Sequence, residues 1–173
     1  ILLKKMRFKS KEKYGSIYSS PLKRSISTAK LYGQKKIIIN KYLNEINYGD
    51  AEGMTFGQYS KKFPEKVRIW KKGKDTKFPA GESTEDVKKR VFKFINNEIC
   101  TKTRGRKFSR TLVVTHNVFL RCLIGFFLKI DLKDYFKINI NHLQKFEFLT
   151  RGKRIYPNLR RNNMKETLMN LYD

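Results

Sequence analysis

The run Thr111-Leu112-Val113-Val114-Thr115-His116-Asn117 constrains this chain more than any other. A short β-branched apolar stretch ends at a histidine, and an apolar run of helical length follows. The pattern predicts a buried strand that delivers His116 to its C-terminal end, where a helix begins. In open α/β sheets, ligands bind beyond the carboxyl ends of the strands, and helix N-termini there favour anions. The chain has only one other histidine, His142. It sits in Asn139-Ile140-Asn141-His142-Leu143, with no strand-end context, and reads as a surface or structural residue. Imidazole chemistry from these residues falls on His116 first.

The flanking sequence alternates in kind. Ser16-Ile17-Tyr18-Ser19 reads as a strand stopped by Ser20-Pro21, with the proline suited to a first helical turn. Leu22, Ile26, Ala29 and Tyr32 then share one helical face. Ile37-Ile38-Ile39 reads as a second buried strand. The stretch 40–78 is too long for an ordinary connection and reads as a functional excursion with some helix of its own. Ser83-Thr84-Glu85-Asp86 has the form of an N-cap with an acid three positions on, and Val87, Val91, Phe94 and Ile95 follow at helical spacing. Lys102 to Arg110 reads as a loop and Phe119 to Leu128 as a core helix. Phe146 and Phe148 suggest a late strand, Thr150-Arg151-Gly152-Lys153 a turn, and Met164, Leu168 and Leu171 one face of a terminal helix. Strands alternating with helices predict an α/β fold, a mostly parallel sheet with helices on both faces. At 173 residues the chain is expected to be one domain over 1–173.

Composition sets the partner classes. Forty Lys and Arg against fifteen Asp and Glu give a net charge of +25, a field that attracts anions such as phosphorylated metabolites, nucleic acid or acidic membranes. The basic residues are spread along the chain, so the same excess also arises from biased composition with lysines on solvated faces. Hydrophobic content of 39%, with 13% aromatic, excludes a disordered chain. The longest apolar run, Leu120 to Ile130, is broken by Arg121 and Lys129 and falls short of the roughly 20 residues of a membrane span. Cys100 and Cys122 form neither a zinc spacing nor a disulfide framework; they read as buried thiols of a cytoplasmic protein. No cofactor is implied. Ile1-Leu2-Leu3 reads as the middle of an element, so the natural N-terminus, and the place of any targeting peptide, is expected upstream.

Three constellations carry chemistry. Ser19-Ser20-Pro21-Leu22-Lys23-Arg24 is a strand end followed by a helix N-terminus with an arginine one turn in, a pairing suited to phosphate oxygens. On composition alone, an ordinary strand-to-helix turn with a solvent arginine is the simpler reading. The segment from Leu43 to Thr55 holds Glu45, Asp50 and Glu52, in a chain short of acids; one could protonate a leaving group, or all could pair with surface lysines. Phe78-Pro79-Ala80-Gly81-Glu82-Ser83 is a tight turn opening a capped helix.

In this order and spacing the segments resemble the histidine phosphatase superfamily, which also holds the cofactor-dependent phosphoglycerate mutases. The resemblance runs from about Ser16 to Ile130. It rests on Ser20-Pro21-Leu22-x-Arg24 with Thr28-Ala29, on Leu43-x-Glu45 with Gly49-x-x-Glu52-Gly53, on Gly81-Glu82-Ser83 with Arg90, and on Thr115-His116 with Arg121. Glu45-Ile46, Glu52-Gly53-Met54-Thr55, Phe63-Pro64-Glu65 and Arg121-Cys122-Leu123 are most similar to the fructose-2,6-bisphosphatase domain of the phosphatase branch. The resemblance implies a three-layer, phosphoglycerate mutase-like fold and phosphoryl transfer through a phosphohistidine. Arg24 would clamp the transferring phosphoryl group, Glu45 would act as general acid, and His116 would help to hold the phosphoryl oxygens. Ser20 and Asn117 would bind substrate beside them, Asn117 standing where family members often carry glycine. Glu82 and Ser83 would shape the pocket rather than do chemistry.

One departure matters. The family's nucleophile lies in an Arg-His-Gly motif at the end of a first strand, and nothing between Ile1 and Tyr14 resembles it. The fold is therefore expected to lack that strand, and these residues alone to be catalytically silent. A phosphorylated small molecule is the expected partner, with membrane and nucleic acid disfavoured and oligomeric state open. The rival readings are a phosphate-binding pseudoenzyme, a mutase, and a basic nucleic-acid-binding module.

Overall fold

The computed structural model describes residues 12–33, 36–101, 110–151 and 154–158. Strand β1 (Ser16–Ser19) lies at the centre of a parallel sheet, with β2 (Ile37–Ile39) on one side and β3 (Thr111–Val114) on the other. Ser19 stands opposite Ile39 and Val114, so the three strands end level. Their C-terminal ends form one rim of the molecule, and the chain after each of them supplies the site.

The two faces of β1 bury different things because successive side chains point opposite ways. Ser19 faces helix α1 (Lys23–Lys30), its Oγ 2.9 Å from the Ser25 Oγ. Tyr18 faces the other layer, where its ring meets Phe94 edge-on at 5.4 Å. That layer holds helices α4 (Thr84–Phe94) and α5 (Asn117–Phe127), packed together, with Val87, Val91, Phe94, Phe119, Cys122 and Leu123 in one apolar cluster. Helices on both faces of a parallel sheet make the expected three-layer α/β/α arrangement.

Local chemistry accounts for the element boundaries. Ser83 caps α4: its hydroxyl accepts from the Asp86 N–H while the Asp86 carboxylate accepts from the Ser83 N–H, the reciprocal box expected from the sequence. Past Phe94 the helix widens into π-type turns over Ile95–Cys100, keeping Ile95, Ile99 and Cys100 in the core. The excursion after Asn40 holds two single 3-10 turns and two short helices, α2 (Phe56–Lys62) and α3 (Pro64–Lys71). A late hairpin, β4 (Phe148–Arg151) with β5 (Arg154–Pro157), is antiparallel.

Four expectations need correction. β2 is not buried: Ile39 is 48% exposed, and among the described residues β2 pairs on one side only, with β1. β3 is only half-buried along its length. Pro21 precedes α1 rather than opening it, since Leu22 is the N-cap. Thr150 and Arg151 belong to β4 rather than to a turn. The expected 102–110 loop, except Arg110, and the terminal helix with Met164, Leu168 and Leu171 lie outside the described residues. Cys100 and Cys122 are buried free thiols, as expected, and burial pushes the Cys122 thiol up to about 12.

Candidate active site

The rim of strand ends is assembled by hydroxyls. Ser25 Oγ donates to the Val114 carbonyl at 2.9 Å and is 2.9 Å from Ser19 Oγ, which itself donates to the Ser20 carbonyl. This chain of small buried side chains pins the first turn of α1 to the ends of β1 and β3. Arg24, one residue before Ser25, is thereby held at the same rim and is exposed. The N-cap residue of α1, Leu22, offers no side-chain cap, so among the described residues no side chain caps its first-turn N–H groups.

His116 occupies the N-cap position of α5 with an extended backbone (φ −125°, ψ 172°) and does not use its ring as a cap. The ring turns to β1 instead. Nε2 lies 2.7 Å from Ser20 Oγ, with His116 8% exposed and Ser20 fully buried. Burial, with the Arg24 and Arg90 guanidinium charges nearby, holds the imidazole down at about 4. It is therefore uncharged near neutrality, with one ring nitrogen a donor and the other an acceptor.

The N-terminus of α5 is capped from elsewhere in the chain. Glu45 Oε1 accepts from the Val118 N–H at 3.2 Å and from its own neighbour Ile46 at 3.1 Å. A carboxylate suits that end of the helix dipole, and the contact sets the acid two residues from His116. Thr115 Oγ1 donates to the Leu43 carbonyl at 2.9 Å, tying the end of β3 to the same loop. Asn117 Nδ2 reaches the Ile140 carbonyl at 3.4 Å, while its Oδ1 and that of Asn44 are buried without a hydrogen-bond partner among the described residues. Arg121 donates through Nε to the Ile138 carbonyl at 2.9 Å and lies near Tyr48 and Glu45; burial lowers its basicity.

All five expected site residues, Ser20, Arg24, Glu45, His116 and Asn117, meet at this rim. His142 is exposed. Asp50 and Glu52 are exposed too, with no lysine at ion-pair distance among the described residues. Sequence reasoning missed the Thr115 link and the extent of the Glu82–Arg90 pairing. Arg90 was legible as part of a motif, but its partners lie up to 48 residues away and leave no local signal. Among the described residues, no group of three or more His, Cys, Asp or Glu could hold a metal ion, and no helix is long and apolar enough to cross a membrane.

Comparison with known proteins identifies the family. The sequence profile of the histidine phosphatase superfamily (branch 1) matches residues 5–159. A 2,3-bisphosphoglycerate-dependent phosphoglycerate mutase from Parvibaculum lavamentivorans is 32% identical over 71% of this chain and 61% of its own length. Phosphoserine phosphatase 1 from Hydrogenobacter thermophilus is 31% identical over 77% of this chain and 63% of its own. The chain thus spans less than two thirds of the length of these relatives. The fructose-2,6-bisphosphatase of Saccharomyces cerevisiae is 28% identical over 81% of this chain and 30% of its own. The α-ribazole phosphatase of Shigella flexneri superposes with a TM-score of 0.70 at 20% identity, over 86% of this chain and 73% of that one, and shares the fold. The strand-end histidine, the capped helices and the matched span together place this chain in the histidine phosphatase superfamily, branch 1.

Proposed function

We propose that this chain carries the phosphate-holding and proton-donating side of a phosphomonoesterase site that works through a phosphohistidine. The attacking histidine is neither of the two present here, and in this reading it is supplied by sequence outside these residues. The observation that carries the proposal is the meeting of Glu45 and His116 at the N-terminus of α5, with Arg24 across the rim. A helix N-terminus and an arginine favour an anion, an uncharged imidazole can donate one hydrogen bond to a phosphoryl oxygen, and a carboxylic acid beside them can serve a leaving group.

An imidazole nitrogen bonds to phosphorus while the ester P–O bond breaks, and Glu45 passes its proton to the departing alkoxide. Water then attacks phosphorus and gives a proton back to the Glu45 carboxylate, the N–P bond breaks with its electron pair returning to the imidazole, and inorganic phosphate leaves. Arg24 and His116 stabilise charge on the equatorial oxygens throughout. Ser20 contributes through His116, and Asn117 borders the same helix end.

The test is to restore the upstream residues and screen phosphomonoesters for phosphate release. Glu45→Ala should lower kcat by about 10² to 10⁴, as loss of a positioned general acid does, and His116→Ala should also be severely impaired. Full activity in both variants sinks the assignment. A mutase is the second reading, favoured by relatives that carry that name; isomerisation of phosphoglycerate in the same preparation, in place of phosphate release, would select it. Phosphate binding without turnover in the completed chain would select a pseudoenzyme.

A further inference from the structure

We propose that Arg90 and Glu82 are positioning residues for Glu45, a role that rests on reading Glu45 as the general acid. Arg90 belongs to α4, yet its guanidinium is spent on the loop that presents the acid. Nη1 donates to the carbonyls of Tyr42 and Asn44 at 2.8 and 2.7 Å, and the second of these immediately precedes Glu45. Nε and Nη2 grip the two carboxylate oxygens of Glu82 at 2.9 and 3.1 Å. Glu82 in turn holds the far side of the loop: its Oε2 accepts from the Asn47 N–H at 2.9 Å, and its own N–H donates to the Asn47 carbonyl at 2.8 Å. The acid therefore sits between two anchored carbonyls and an anchored peptide, all fastened by one ion pair.

The pair is not explained by stability alone. Its side chains are 12% and 25% exposed, and desolvating two charges costs about as much as their attraction returns. What the arrangement secures is geometry. A planar fork can hold a carboxylate and two carbonyls at once; a lysine ammonium cannot. With the backbone of residues 42–47 fixed on one side and its carboxylate resting on the Val118 N–H on the other, Glu45 has little freedom left. Arg90 is also near enough to His116 for its charge to disfavour protonation of the ring, so one guanidinium bears on both groups of the site.

The experiment uses the completed chain. Arg90→Lys and Glu82→Gln should each lower kcat about 10²-fold, the loss expected when a catalytic group shifts by about 1 Å, with KM changed less than about threefold. The amide proton of Val118 should move upfield as its bond to Glu45 lengthens. Val91→Ala, a core change in the same helix that leaves the pair intact, is the stability control: at a matched loss of Tm it should keep both kcat and the Val118 resonance. An unchanged Val118 signal and kcat in Arg90→Lys, or an equal fall of kcat in Val91→Ala, would overturn the proposal. If the unmutated completed chain releases no phosphate, the proposed function fails, and the Val118 resonance in Arg90→Lys by itself decides the positioning role.

Discussion

His116 is more easily protonated in the unfolded chain than in the folded one, because burial and two guanidinium charges hold the native ring at about 4 against an ordinary value of 6.5. The unfolded state therefore binds the extra proton first as pH falls. Stability is complete above about pH 6.5 and drains away toward pH 4, and a gap of this size corresponds to about 3 kcal/mol. Denaturant unfolding at pH 7 and pH 4.5 should show the loss, and His116→Asn should flatten that part of the profile. A slope unchanged by the substitution would mean that other groups cause it. The ring's surroundings were only partly legible in the sequence. Its place at a strand end followed from the β-branched run before it. Its bond to Ser20, 96 residues away, could not be read, because only the parallel pairing of β1 with β3 brings the two together. The Ser20 hydroxyl, which the resemblance assigns to substrate binding, lies against His116.

Among the elements, α4 was the easiest to foresee and β2 the hardest. The capping box at Ser83 is a contact between neighbours in sequence, so its residues announce it. Ser83→Ala should cost about 1 kcal/mol in thermal or denaturant unfolding, with the far-UV spectrum unchanged at low temperature. Whether three isoleucines are buried depends on strand order instead, which is a property of the sheet, and among the described residues β2 pairs with β1 alone. The turn before α4 holds a second consequence of local chemistry. Gly81 N–H closes on the Phe78 carbonyl, with Pro79 and Ala80 between them and Ala80 at φ +54°. That conformation suits glycine at the third position of the turn. Ala80→Gly should therefore raise stability by about 0.5 to 1 kcal/mol, and a loss on unfolding would contradict the strain.

For the whole molecule the dominant quantity is the charge of +25. Like charges spread over a domain of this size oppose its compact state, and added salt screens them. The Tm should rise by several degrees between low ionic strength and about 0.3 M sodium chloride; a flat dependence would mean that the lysines are too dispersed to repel. The same field favours anionic ligands without choosing among them, so the choice falls to the rim of the sheet. There the molecule shows how its loops depend on one another. A side chain on Gly49 would lie 2.1 Å from the Pro79 carbonyl oxygen, and one on Gly81 would lie 2.4 Å from the Asn47 carbonyl oxygen. Each backbone fills the space that the other's missing side chain leaves. The two loops thus move as one mechanical piece, and the mutational target of the acid site extends well beyond its chemical groups. A methyl group added at residue 81, which has no reactive atom, would be felt at Glu45 through a backbone that has nowhere to yield.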